Sequence, residues 1–122
     1  MDRVRRVLLQ SQGPIERVDL SEAEADAPAP GIGEVRLQIR ACGVCHTDLH
    51  IAEGDLPAHR LPVVLGHQIV GVVDAAGTGV AHPKPGDRVG VGWLYRACGA
   101  CEPCRRAHTL VNSAPKKRVC AA

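Results

Sequence analysis

Three cysteines at regular spacing are the strongest chemical signal in the sequence. Cys98, Cys101 and Cys104 fall within a run of seven residues. Tight turns allow thiolates at this spacing to point toward a single tetrahedral metal ion, for which zinc is the default. Because a structural zinc site takes four protein ligands, the run predicts a metal site that needs one more ligand.

A second group of possible ligands lies upstream. Cys42 and Cys45 form a C-x-x-C pair, and His67 directly follows a glycine, which permits a close approach of the backbone. Cys45 is also followed at short range by a hydroxyl, a carboxylate and an imidazole, from Thr47, Asp48 and His50. The residues alone leave two alternatives open: the cysteine pair could be a redox dithiol, and His67 could be an ordinary core histidine.

The elements that must position these residues have the pattern of short strands. Val35, Leu37 and Ile39 alternate with polar residues between Gly33 and Cys42, which is typical of a half-buried strand. Similar short runs, separated by glycine and proline turns, predict further strands at 4–9, 63–65, 69–76 and 88–92. Together they predict a mainly β fold, a barrel with short helices.

Two other segments are assigned differently. Residues 47–53 are predicted to form a short helix that ends at Gly54. Residues 21–31, rich in alanine, acidic residues and proline, are predicted to form a connector rather than a strand.

Composition excludes several classes of protein. Hydrophobic residues make up 45% of the 122, but Trp93 and Tyr95 are the only large aromatics, so valine, isoleucine, leucine and alanine must build the core. A net charge of +2 and so few stacking side chains argue against a nucleic-acid or membrane-surface partner. No apolar run has the length of a signal peptide or a membrane span. The expected compartment is the cytoplasm, where six cysteines favour metal binding over disulfides.

Four segments resemble, in order, the zinc-containing alcohol dehydrogenases of the medium-chain dehydrogenase/reductase family. They are the 41–48 segment ACGVCHTD, the 66–71 segment GHQIVG with Gly77 and Val80 beyond it, the 85–89 segment PGDRV, and the 98–104 run CGACEPC. The resemblance covers about residues 4–106 and implies a GroES-like β-barrel, the catalytic domain of that family.

The resemblance also implies roles for individual residues. Cys45 and His67 would be two of three protein ligands of a catalytic zinc, the third lying farther along the chain in the family, and Cys42 would be structural. The remaining assignments follow the same pattern: Asp48 orienting His67, His46 beside the cofactor pyrophosphate, Thr47 and His50 as the proton path, Gln68 in place of a common glutamate, and Trp93 lining the substrate pocket. For Trp93, plain core packing is an equal alternative.

The activity implied by the resemblance is the reversible oxidation of a small primary or secondary alcohol to an aldehyde or ketone. Zinc would act as a Lewis acid on the substrate oxygen, and hydride would pass to NAD or NADP. In the family a fourth structural cysteine is expected where this chain has Asn112, and Cys120 is the one cysteine left that could replace it.

The last residues depart from the family pattern. We expect a domain over 1–106 and a disordered tail over 107–122, and no strand followed by G-x-G-x-x-G, the signature of a Rossmann cofactor domain, occurs in the sequence. A truncated gene model or a shifted reading frame would produce this pattern. The 122-residue chain alone is then expected to be inactive, with a homo-oligomer open only to the complete protein. Two alternatives are a stand-alone zinc-binding module and a fragment without function.

Overall fold

The structure, a computed structural model, describes residues 3–93, 98 and 100–107. The chain divides into two compact units, with the boundary between Val91 and Gly92. In chain order the described elements are β1 (Arg3–Ser11), a 3-10 helix (Ile15–Arg17), β2 (Asp19–Asp26), β3 (Val35–Gly43), α1 (His46–Glu53), β4 (Val63–Val64), β5 (Gln68–Ala76), β6 (Arg88–Val91) and α2 (Glu102–Ala107). The prediction of a mainly β fold with short helices is confirmed. No helix in this described part of the chain is long and apolar enough to cross a bilayer.

The first sheet has the order β2-β1-β4, with both neighbours antiparallel to β1. Leu9 on β1 pairs with Leu20 and Val63 and is completely buried. Leu9 is therefore a core residue of the first sheet, and its burial contributes about 1.5–3 kcal/mol.

The prediction of a connector over 21–31 is wrong for its first half, because β2 continues to Asp26. Exposed Glu22 and Glu24 alternate with half-buried Ala23 and Ala25, which is the period-two pattern of a strand. Alanine carries so little hydrophobic signal that the alternation is weak in the sequence. The acidic face is matched to the basic β1, and Arg3 Nε lies 3.3 Å from Glu24 Oε2.

The second sheet has the order β3-β5-β6, again antiparallel. Val73 on β5 is 1% exposed and marks the core of this sheet. The register shifts between Arg36 and Leu37 and between Ile39 and Ala41. Such bulges turn the strand locally. Val35, Arg36 and Leu37 are all half-buried and Ile39 is 59% exposed, so the one-sided burial predicted for Val35, Leu37 and Ile39 is wrong.

The segment that follows β1 forms hydrogen bonds with the end of the first helix. Gln12 Nε2 donates to the carbonyl oxygens of Ile51 (2.7 Å) and Leu56 (2.8 Å), and its Oε1 accepts from the Ala58 N–H (3.3 Å). α1 ends at Gly54, in the left-handed conformation at φ +91°, where the sequence predicts its end. One glutamine side chain thus ties the last turn of α1 to the loop after it.

Candidate metal centres

Strand pairing brings Cys45 and His67 together. Gly43, the last residue of β3, pairs with Gln68, the first residue of β5. In an antiparallel pair the residue that leaves one strand lies beside the residue that enters the other. Cys45 comes two positions after Gly43 and His67 one position before Gln68, and the Cys45 Sγ is 3.1 Å from the His67 Nε2.

Asp48 lies behind the histidine. Its side chain belongs to the first turn of α1, where Oδ2 accepts a hydrogen bond from the Cys45 N–H at 3.1 Å, and the residue is 7% exposed. Oδ1 is buried without a hydrogen bond among the described residues, and it lies 3.4 Å from the His67 Nδ1. A carboxylate at the far nitrogen is the usual partner of a metal-ligating histidine, because it fixes the tautomer and the ring orientation.

These side chains suit a zinc ion. With zinc about 2.3 Å from sulfur and about 2.0–2.1 Å from nitrogen, tetrahedral coordination separates the two ligand atoms by about 3.6 Å. The observed 3.1 Å between Cys45 Sγ and His67 Nε2 differs from this by a small side-chain rotation. Cys45, Asp48 and His67 each place a potential ligand atom within 4.8 Å of the others. The donor set of one soft thiolate and one imidazole also suits zinc.

The glycine before His67 is needed where it stands. Gly66 has φ +111°, and a Cβ built on it would lie 2.8 Å from the Cys42 Sγ. The backbone before the histidine therefore passes directly against the C-x-x-C segment.

We expect Gly66→Ala to lower the free energy of unfolding by about 1–3 kcal/mol, the usual range for a side chain forced into such a conformation. Gly86→Ala is the matched control, because Gly86 has φ +97° with no atom within 4 Å of its built Cβ. Urea unfolding of both variants separates backbone strain from contact with the sulfur. Equal losses in the two variants would show that the Cys42 contact carries no cost.

The other predicted residues of α1 lie on its first two turns. Thr47 is half-buried, His46 is exposed, and the His50 side chain is 45% exposed. The His50 Nδ1 lies 2.9 Å from the Asp55 Oδ2. Sequence reasoning missed Asp55; its signal is only a carboxylate directly after the Gly54 helix end.

Three further residues lie outside the Cys45 cluster. Gln68 opens β5 with its amide oxygen over the Gly43 backbone. Cys42 is an exposed free thiol. Trp93 belongs to the second unit and is 62% exposed.

The second candidate centre is built by the three cysteines of the 98–104 run. The Cys104 Sγ lies 3.8 Å from the Cys98 Sγ and 3.4 Å from the Cys101 Sγ. Two thiolates on one tetrahedral zinc are about 3.8 Å apart, so the spacing suits the metal. The backbone N–H groups of Ala100 and Cys101 point at the Cys98 Sγ, at 3.4 and 3.3 Å. Asn112, where the family pattern places a fourth cysteine, and Cys120 lie outside the described residues.

Comparisons with known proteins show which family this chain is similar to. The profile of the family described as alcohol dehydrogenase GroES-like domain matches residues 31–119, which continues past residue 106. An alcohol dehydrogenase of Geobacillus stearothermophilus is 54% identical over 86 residues, covering 70% of this chain and 26% of that protein. An alcohol dehydrogenase of Schizosaccharomyces pombe is 41% identical over 112 residues, covering 90% of this chain and 31% of that protein.

A solved structure that is similar to this chain is also that of an alcohol dehydrogenase. A thermostable alcohol dehydrogenase from Pyrobaculum aerophilum with bound cobalt and zinc superposes with a TM-score of 0.71 at 33% identity, over 85% of this chain and 30% of that one. The chain thus spans about a quarter to a third of the length of the relatives it matches.

Proposed function

The chain belongs to the alcohol dehydrogenase family with a GroES-like domain, and we propose that it carries the zinc-binding and proton-transferring part of an NAD(P)-dependent alcohol dehydrogenase. The reaction is the reversible conversion of a small primary or secondary alcohol into an aldehyde or ketone. The observation that carries the proposal is the 3.1 Å approach of Cys45 Sγ to His67 Nε2 with buried Asp48 behind the ring.

Cys45 and His67 would hold the catalytic zinc, together with a third protein ligand. Zinc in such a site supplies Lewis acidity toward the substrate oxygen. Asp48 fixes the histidine, because its Oδ1 faces the Nδ1 and its Oδ2 is anchored by the Cys45 N–H. The same carboxylate therefore orients one ligand and caps the helix that begins after the other.

Thr47 and His50 would move the proton released from the alcohol. They are three residues apart on α1, so they lie on the same side of the helix. Both are half-buried, and the His50 side chain is 45% exposed, so that imidazole can pass the proton to solvent. Asp55, 2.9 Å from the His50 Nδ1, holds that imidazole in place and leaves its Nε2 as the atom that takes the proton.

The remaining assignments concern the parts that meet the substrate and the cofactor. His46, exposed at the start of α1, would lie by the cofactor pyrophosphate. Trp93 would line the substrate pocket. Gln68 would keep only a hydrogen-bonding role, because its neutral amide is a poorer zinc ligand than a carboxylate. The zinc knuckle of Cys98, Cys101 and Cys104 would be structural.

Replacing one cysteine of the C-x-x-C pair tests the proposal. We expect Cys45→Ser to weaken metal binding at the Cys45–His67 centre by at least about 100-fold. Replacing a residue that only hydrogen-bonds a metal ligand usually costs less than this. Cys42→Ser is the matched control and should keep the metal. Replacing zinc with cobalt allows both centres to be followed by visible absorption spectroscopy. The measured zinc content gives the number of ions per chain.

A catalytic zinc site keeps one coordination position open for the substrate, and this position can be probed in the same cobalt-loaded chain. A small aliphatic alcohol should change the cobalt absorption of the wild-type chain and of Cys42→Ser, but leave that of Cys45→Ser unchanged. If Cys42→Ser lost the metal and Cys45→Ser kept it, the proposed ligand would be wrong. One metal ion per chain, held only by the knuckle, would favour a stand-alone zinc-binding module.

A further inference from the structure

The exposed side of α1 carries two histidines one helical turn apart. His46 and His50 have ring centroids 5.4 Å apart, with the ring planes inclined at 37°. Histidines at i and i+4 on one helix face are a metal-binding spacing, as in helical H-E-x-x-H motifs. We propose that His46 and His50 form a second, exchangeable site for a first-row divalent transition metal, separate from the Cys45–His67 centre.

The distance between the rings suits a shared ion. Two imidazoles bound through nitrogens about 2.1 Å from one ion have centroids about 5 Å apart at a near-tetrahedral angle. The observed 5.4 Å is close to that value. Both residues belong to the same eight-residue helix, so the metal can bind without moving one element against another.

The carboxylate of Asp55 prepares one of the two ligands. Its Oδ2 lies 2.9 Å from the His50 Nδ1, so the ring hydrogen belongs on Nδ1 and the lone pair on Nε2. This is the carboxylate–histidine–metal arrangement of known sites, in which the outer carboxylate fixes the tautomer and the orientation of the ligand. Gln12 holds the loop that contains Asp55, through the carbonyl oxygen of Leu56 and the N–H of Ala58.

The exposure of the two histidines and their nitrogen donors together indicate which ions the pair binds. His46 is exposed and the His50 side chain is 45% exposed, so water completes the coordination sphere. Two neutral nitrogen donors favour nickel, copper or excess zinc over magnesium or calcium, which prefer oxygen. A site with two protein ligands exchanges its ion readily.

A bound ion would occupy the Nε2 lone pair that the proton path needs, so excess metal would compete with proton transfer. This consequence rests on the proposed function of His50, whereas the binding of the metal does not. Metal binding by the pair is therefore the quantity to measure.

The experiment titrates Ni2+ into the chain after loading with zinc and removal of the excess, and follows amide signals by NMR. We expect paramagnetic broadening centred on α1, and a loss of nickel affinity of at least tenfold in His46→Ala and in His50→Ala. Asp55→Asn should cost about 10-fold, the lower end of the usual effect of an outer carboxylate. His59→Ala and His82→Ala, which remove exposed histidines elsewhere in the first unit, should leave the affinity unchanged.

The zinc content of every variant is measured in parallel, so that failure of the Cys45–His67 centre is seen separately. The amide spectrum without nickel shows whether each variant is folded, and His50→Gln serves if His50→Ala is not. The inference is overturned if nickel fails to bind at millimolar concentration. Broadening centred on His59, His82 or His108, or affinity that survives both His46→Ala and His50→Ala, would equally overturn it.

Discussion

Gly77→Ala is expected to destabilise the first unit severely. A Cβ built on Gly77 overlaps the carbonyl oxygen of Gly31 and lies 2.8 Å from its carbon and 3.1 Å from the carbonyl oxygen of Glu34. These are backbone atoms, so no side-chain rotation can relieve the contact. Overpacking usually costs about 1–3 kcal/mol where side chains can adjust, and we expect more than about 3 kcal/mol here.

The affected contact joins two turns that close the second sheet. The Gly77 N–H donates to the carbonyl oxygen of Glu34 at 2.8 Å, and the Gly33 N–H donates to that of Thr78 at 3.0 Å. Moving the turn after β5 away from the turn before β3 breaks both hydrogen bonds together. Because small domains have only about 5–15 kcal/mol of stability, the combined loss is a large share of the whole.

Urea unfolding followed by circular dichroism measures the effect, and Gly13→Ala is the control. No atom lies within 4 Å of a Cβ built on Gly13, and its N–H bonds to the Ala52 carbonyl oxygen at 3.0 Å, which alanine preserves. Gly13→Ala should change stability by about 1 kcal/mol or less. A Gly77→Ala variant as stable as Gly13→Ala would mean that the two turns do not meet as described.

The strands that the sequence predicts well are those with β-branched or leucine side chains. β5 is rich in valine and isoleucine, and a glycine lies close to each of its ends. Its span, Gln68–Ala76, therefore differs from the predicted 69–76 by only one residue. β2 was missed because Ala23 and Ala25 give it almost no hydrophobic signal. Its existence depends on pairing with β1, and pairing is a long-range property that a local pattern does not contain.

The candidate site is likewise predicted from the sequence only in part. The motifs name Cys45 and His67, but their approach depends on the register in which Gly43 faces Gln68. No periodicity in the sequence specifies that register, because one extra residue on each strand, Asp74 on β5 and Arg40 on β3, shifts the pairing by one residue and then back again. Asp55 was missed for a related reason: it meets His50 in the loop after α1, and that loop is held in part by Gln12, which is far away in sequence.

The largest effect on metal binding is expected at the knuckle of Cys98, Cys101 and Cys104. Structural zinc in finger peptides is worth about 10–16 kcal/mol of apparent binding free energy, so each thiolate carries a large share. Removing Cys104, whose sulfur lies 3.8 and 3.4 Å from the other two, leaves two of the three described thiolates. We expect Cys104→Ser to lose the knuckle zinc to a competing chelator, with an affinity lower by more than about 100-fold, beyond the cost of losing an outer partner.

Cys120→Ser is the matched control, and it also decides whether a fourth thiolate exists. Cys120 follows Cys104 by sixteen residues, twice the spacing at which the family pattern expects the fourth cysteine, and doubling a loop costs only about 0.6 kcal/mol. Chain entropy therefore permits the ligand, but no turn signal in the sequence directs the chain back toward the knuckle. We expect Cys120→Ser to keep the wild-type zinc affinity in the chelator competition, as a three-cysteine site requires. A loss in Cys120→Ser comparable to that in Cys104→Ser would identify Cys120 as the fourth ligand, because removal of either of two equivalent thiolates must weaken the same ion to the same extent.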